Sequence, residues 1–165
     1  MHSRNYARTL GVVLAVGAVL ALGVADLSAQ MSDPRIGTWK LNVEKSKYSP
    51  GPAPQSVTVK VEAAGQGEKT NTAFVNADGS RTATEYTANF DGKDSPLTGS
   101  QFGADTVSLK RIDARTTERT DKKGDKVVQV LTRVVAQDGK TMTVTTKGTN
   151  AQAQAVNNVG VFEKQ

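Results

Sequence analysis

The chain has no cysteine, and its one histidine is His2. Beyond that residue no imidazole or thiol is present, so the ordinary general bases, thiol nucleophiles and soft-metal ligands are missing. Haem held through histidine is excluded for the same reason. Serines occur, but no G-x-S-x-G elbow surrounds one and no base is at hand to activate it. Carboxylate pairs are the catalytic option that remains. Asp78, Asp91, Asp121, Asp125 and Asp138, however, sit in turn-like contexts, where aspartate commonly serves the backbone. Asp91-Gly92-Lys93-Asp94-Ser95 lacks the spaced oxygen ligands and terminal glutamate of a calcium loop. Gly67-Glu68-Lys69-Thr70 lacks the spacing of a phosphate loop and leads into an extended segment. No catalytic residue, metal or cofactor is expected, and the chain reads as a non-enzyme.

Long apolar runs are absent except at the front. His2, Arg4 and Arg8 precede an unbroken apolar or glycine run from Leu10 to Val24, followed by Leu27-Ser28-Ala29. This is the form of a signal peptide over residues 1–29, with Gly23-Val24-Ala25 as an alternative cut site. The run is short for a bilayer span, which needs about 20 apolar residues. Residues 30–165 then form one domain, exported to a periplasm or beyond, with no stable membrane insertion after cleavage. That length suffices for a core without staples, so packing and sheet closure must supply the stability that disulfides do not. Removing Arg4, Arg8 and Asp26 from a formal net charge of +5 leaves a mild positive excess. Lys110, Arg111, Arg115, Arg119, Lys122, Lys123 and Lys126 are interleaved with acids, as on a solvated face. No nucleic-acid partner is expected.

No helical stripe is present either; alternation at period two runs through the rest of the chain. Trp39, Leu41 and Val43 share one face, as do Val57, Val59 and Val61. Thr84, Tyr86, Ala88 and Phe90 share another, followed by Val107 with Leu109, and Val128, Val130 and Val134 with Thr132. Met142 with Val144 and Val159 with Val161 complete the set. Asp78-Gly79, Asp91-Gly92 and Asp138-Gly139 are strong hairpin signals, with Lys123-Gly124 and Gly65-Gln66-Gly67 as weaker ones. Ser46 to Pro54 carries Pro50, Pro52 and Pro54 and reads as a stiff connector. The segment Arg115 to Thr120 is polar on both faces: either an exposed rim, or a strand lining a wet cavity with Arg115, Thr117 and Arg119. Together these features predict an all-β fold, an antiparallel up-and-down barrel of about 8–10 strands, with a sandwich as the alternative.

The start Gly37-Thr38-Trp39-Lys40-Leu41 resembles the G-x-W opening of the calycins, the lipocalins and intracellular fatty-acid-binding proteins. Asp138-Gly139-Lys140-Thr141-Met142-Thr143-Val144 and Val161-Phe162-Glu163-Lys164 resemble the last strands of fatty-acid-binding proteins. The chain from residue 30 also resembles a bacterial lipocalin-like family of small exported proteins. The resemblance implies a barrel plugged at one end by Trp39 and a small-molecule ligand inside. It implies no helical lid, because the Pro-rich connector is too short and broken for one. The places of the fatty-acid carboxylate clamp hold Gly160 and Phe162, so a ligand would be neutral or anchored elsewhere, for instance by Arg111 or Arg133.

The expected function is that of a non-catalytic binding protein for a small apolar or amphipathic ligand. Candidate wall residues are Trp39, Tyr86, Phe90, Leu109, Arg133, Met142 and Phe162. Tyr86 and Phe90 could equally pack as core. The rival expectation is a structural or interaction barrel with a filled interior and no ligand. A carboxylate-based enzyme would need two carboxylates converging inside the barrel.

Overall fold

Every strong turn signal in the sequence falls between strands. The computed structural model describes residues 33–99, 103–150 and 152–165. The leader assigned to residues 1–29 and Phe102 lie outside them. Ten strands follow one another: β1 Gly37–Lys47, β2 Ser56–Ala64, β3 Gly67–Val75, β4 Arg81–Asn89, β5 Ser95–Thr98, β6 Thr106–Arg111, β7 Thr116–Lys123, β8 Lys126–Val135, β9 Thr141–Thr149 and β10 Ala155–Lys164. Each pairs antiparallel with its sequence neighbour, and β1 pairs with β10 to close the barrel. Closure leaves no free sheet edge. At Asp138-Gly139 the glycine takes φ +68° while the aspartate Oδ1 accepts from Lys140 N at 2.9 Å. Only a residue free to adopt positive φ fits that place easily.

Because successive strands run in opposite directions, the connections gather at two ends. Residues 33–36, the β2–β3, β4–β5, β6–β7 and β8–β9 turns lie at one, here the closed end. The Pro-rich connector between β1 and β2 and the β3–β4, β7–β8 and β9–β10 turns form the other, the rim. Trp39 stands near the closed end, fully buried, paired in register with Lys164 on β10 and Val59 on β2. A buried indole N–H needs an acceptor; Nε1 donates to Arg35 O at 2.8 Å. The Lys164 ammonium covers the ring at 5.1 Å and donates to Pro34 O at 3.0 Å. The stopper role expected for Trp39 is what the structure shows.

The apolar core comprises two clusters on opposite walls. Trp39, Leu41, Val57, Val59, Val61, Val135, Met142 and Phe162 form one, on β1, β2 and β8–β10. Tyr86, Ala88, Leu97, Ala104, Val107 and Leu109 form the other, on and beside β4–β6. Between them β3 and β7 present polar side chains inward: Glu68, Thr70 and Thr72 from one, Thr117, Arg119 and Asp121 from the other. Gly67 opens β3 because a Cβ there would stand 1.8 Å from Ala88 O, so the backbones of β3 and β4 approach too closely for any side chain.

Three expectations are corrected. On β8 the inward set is Gln129, Leu131, Arg133 and Val135, whereas Val134 is 42% exposed. A one-residue change of register exchanges the faces of a strand, and here the face carrying Gln and Arg is the buried one. On β10 the buried residues are Val156, Gly160 and Phe162, with Val159 and Val161 only partly covered. Val43 leaves the interior because the β1–β10 register shifts after Asn42. Ser46 stitches that bulge, donating to Asn42 O at 2.6 Å and accepting from Val161 N at 2.9 Å. The thinnest part of the wall is β5, joined to β4 and to β6 by two register pairs each.

Trp39→Ala should lower the unfolding free energy by roughly 3–5 kcal/mol in denaturant titration, through lost contact and the cavity left behind. Trp39→Phe should lose less, and a near-neutral alanine variant would remove the indole as the stopper.

Candidate functional site

The lumen divides into a filled half and a hollow one. A charged ladder fills the closed end. Asp33 Oδ1 accepts from Arg35 Nε at 2.9 Å and from Arg35 N at 3.0 Å, and its Oδ2 accepts from Arg35 Nη2 and, at 2.9 Å, from Arg111 Nη2. Arg35 and Arg111 both stack on the Phe90 ring, their guanidinium carbons 4.5 and 4.4 Å from its centroid. Arg35 Nη1 reaches to 3.9 Å from Glu68 Oε2. Glu68 Oε1 accepts from Tyr86 OH at 2.7 Å and Thr70 Oγ1 at 3.0 Å, and lies 2.7 Å from Arg133 Nη2. Beside this group Arg119 forms a two-point pair with Asp121 at 2.6 and 2.9 Å and stacks on the Tyr86 ring at 4.7 Å.

Buried charges survive only when paired and hydrogen-bonded, and the ladder alternates sign from Arg111 to Arg133. Burial alone would raise the Asp33 carboxyl, but the bonds from Arg35 and Arg111 outweigh it and bring it down to about 2. Burial likewise opposes ionisation of Glu68, and the Arg133 guanidinium together with the Tyr86 bond holds it below its ordinary value. Burial pushes the Tyr86 phenol up. Arg133, despite its burial, is held more firmly protonated by Glu68.

Above the ladder lies a cavity of about 480 Å³, running from Arg133 to the rim. Val57, Val59, Phe74, Met142, Val144 and Phe162 give it apolar walls, and Thr70, Thr72, Arg119, Asp121 and Gln129 give it one polar flank. The Pro-rich connector and Tyr48 stand at its mouth with Asn76, Asn150 and Gln154. Burial raises the Tyr48 phenol to about 12, so it stays neutral.

Of the seven wall residues expected, the structure brings Arg133, Met142 and Phe162 to the cavity. Tyr86 and Leu109 are buried in the core below it, Trp39 is the stopper, and Phe90 packs against two arginines at the closed end. Those four build the floor and the packed half. Arg111, the other arginine considered as an anchor, belongs to the Asp33 cluster. Of the wet-strand set, Thr117 and Arg119 turn inward while Arg115 remains in the β6–β7 turn. Asp121 is a strand residue buried against Arg119, not a turn aspartate. Glu68, Arg35, Asp33 and Gln129 were missed. Parity was the available signal for two of them: Glu68 and Phe74 share a face of β3, and Gln129 shares one with Leu131 and Val135 on β8.

Glu68 and Asp121 do enter the lumen, but each is tied to an arginine. Among the described residues no group of three or more acidic or histidine side chains gathers as a metal site would require. Comparison with known protein families, with characterised proteins and with solved structures finds no match. The fold and the cavity define a closed ten-strand antiparallel barrel, compatible with a calycin-like one.

Two predictions test the ladder. Arg133→Met should cost roughly 3–5 kcal/mol of stability by leaving Glu68 underpaired, and adding Glu68→Gln should recover part of that loss; strict additivity in the cycle would show the two groups do not interact. A carboxylate with a lowered folded pKa stabilises fully above its unfolded pKa and loses that contribution as pH falls through the folded one. Stability should therefore decline as pH drops from about 4 towards about 2, the window set by Asp33. Urea midpoints across that range should fall less steeply in Asp33→Asn, and an unchanged slope would contradict the assignment.

Proposed function

We propose that this protein is an exported, non-catalytic carrier of a small apolar or amphipathic molecule, held in the rim half of a lipocalin-like barrel. The cavity is the observation that carries this reading. Its volume of about 480 Å³ falls within the roughly 300–1,000 Å³ usual for small-molecule sites, and it combines apolar walls with a few polar groups. A barrel lined by Val, Thr and Ala leaves such space because its side chains are short. The absent terminal clamp, with Gly160 and Phe162 in its place, supports a ligand other than one held by its carboxylate on β10. The lowered carboxyl of Glu68 favours a structural anion over a proton donor. Export rests on the leader composition of residues 1–29. A wholly filled barrel is the rival, favoured by the packed closed end, and the rim half argues against it.

Protein extracted from its own host should carry a bound mass in native mass spectrometry. The purified barrel should also enhance the fluorescence of the apolar probe N-phenyl-1-naphthylamine. Val144→Trp, which fills the cavity, should abolish that enhancement while leaving the fold intact by circular dichroism. No bound mass, no enhancement and no rise in melting temperature with lipids would together sink the carrier reading.

A further inference from the structure

We infer that the cavity takes an amphipathic molecule tail first, and that its head is uncharged and hydroxyl-bearing, of the polyol or sugar class, held by the carboxamides around the mouth. The inference rests on the carrier reading and specifies its ligand. The side chains lining the mouth are Tyr48, Asn76, Asn150, Gln152, Gln154 and Asn158, with the prolines of the connector. None of them is charged, since burial keeps the Tyr48 phenol neutral. Lys47, Asp78, Lys123, Asp125 and Lys126 stand at the same end of the barrel but do not line the cavity.

Hydrogen bonds divide these amides into a frame and a free set. Asn150 belongs to the frame: its Oδ1 accepts from Gln152 N at 3.1 Å and from Gln154 N at 2.9 Å, and its Nδ2 donates to Gln154 Oε1 at 2.8 Å. Asn158 Oδ1 accepts from Ser49 N at 2.9 Å, which ties the connector to β10. Asn158 Nδ2, Gln154 Nε2 and the whole Gln152 side-chain amide then have no partner among the described residues. Asn158 is half-buried and the two glutamines are exposed, so water and ligand both reach them. A carboxamide donates and accepts, and so does a hydroxyl. A polyol head therefore exchanges bonds to water for bonds to the mouth at little cost.

Charge decides against an ionic head. The ionic side chains lining the cavity are Arg119, Asp121 and Arg133, all below the mouth. Each is already matched, Arg119 with Asp121 at two points and Arg133 with Glu68 at 2.7 Å. An ion drawn against the mouth amides would shed hydration with no free opposite charge on the wall to offset the loss. The deep walls fix the tail's direction, because Val59, Met142 and Phe162 receive it there.

The test uses octyl glucoside, octanoate, octylammonium and octane, all below micelle-forming concentrations, each read as displacement of the uncharged dye N-phenyl-1-naphthylamine. The glucoside should bind about tenfold more tightly than the other three. Gln152→Leu combined with Gln154→Leu should remove most of that advantage and leave octane's affinity unchanged; wild-type melting temperatures would exclude misfolding. Gln152→Lys supplies the missing cation and should raise octanoate above octylammonium. Equal binding of glucoside and octane, an advantage that persists in the double variant, an ionic probe as the tightest on the wild type, or octanoate unmoved by Gln152→Lys would each overturn the inference while leaving the carrier reading standing. Failure of all four to displace the dye would defeat the carrier reading itself.

Discussion

The ion pair of Glu68 on β3 with Arg133 on β8 spans the lumen, and much of the barrel's interior is arranged around it. A lone carboxylate in that position would be strongly destabilising. Its neighbours are therefore constrained: Tyr86 and Thr70 supply hydroxyl donors, and Arg35 supplies a more distant second cation. Arg35 in turn needs Asp33, which brings the segment before β1 into the closed end. The same segment offers Arg35 O to the Trp39 indole. Stopper and ladder are thus one structure, and neither could be altered without exposing a polar group of the other.

This arrangement explains why only half of the lumen is hollow. Long side chains, Arg35, Glu68, Tyr86, Arg133 and Trp39, all converge towards the closed end, where hydrogen bonds fix them. Towards the rim the inward positions are Val57, Thr72, Thr84, Val144 and Thr146, whose side chains are too short to meet across the barrel. The polar strands β3 and β7 also separate the two apolar clusters. The cavity consequently has a greasy side and a hydrogen-bonding side, a condition for holding an amphipathic molecule in one orientation.

The strand count, the meander and the position of the stopper were legible because they rest on local chemistry: aspartate–glycine turns, period-two alternation and a lone tryptophan beside a glycine. Tyr86, Val107 and Leu109 lay on faces that alternation marks correctly. The faces of β8 and β10 were not legible. On β8, Val130 and Val134 lie on the outer face while Gln129 and Arg133 point inward, so hydrophobicity indicates the wrong side. Burial of Glu68 depends on Tyr86 from β4 and Arg133 from β8, and pairing across a lumen leaves no trace in any single strand; Arg119 and Asp121 pair two apart on β7, a spacing that was present in the sequence. Four of the seven expected wall residues were placed in the wrong compartment for a related reason. Alternation tells inside from outside but carries no information about height along the barrel axis.

A ring is only as stiff as its most compliant joint. In this one the joint is β5, four residues long and held to each flank by two register pairs. Breathing of the wall should concentrate there, loosening the staves on the β4–β6 side while the long β1–β10 and β8–β9 seams stay shut. The wall across from that joint, β10 with its neighbours β1 and β9, would feel little of that motion, so the cage can flex on one side while the other keeps its shape.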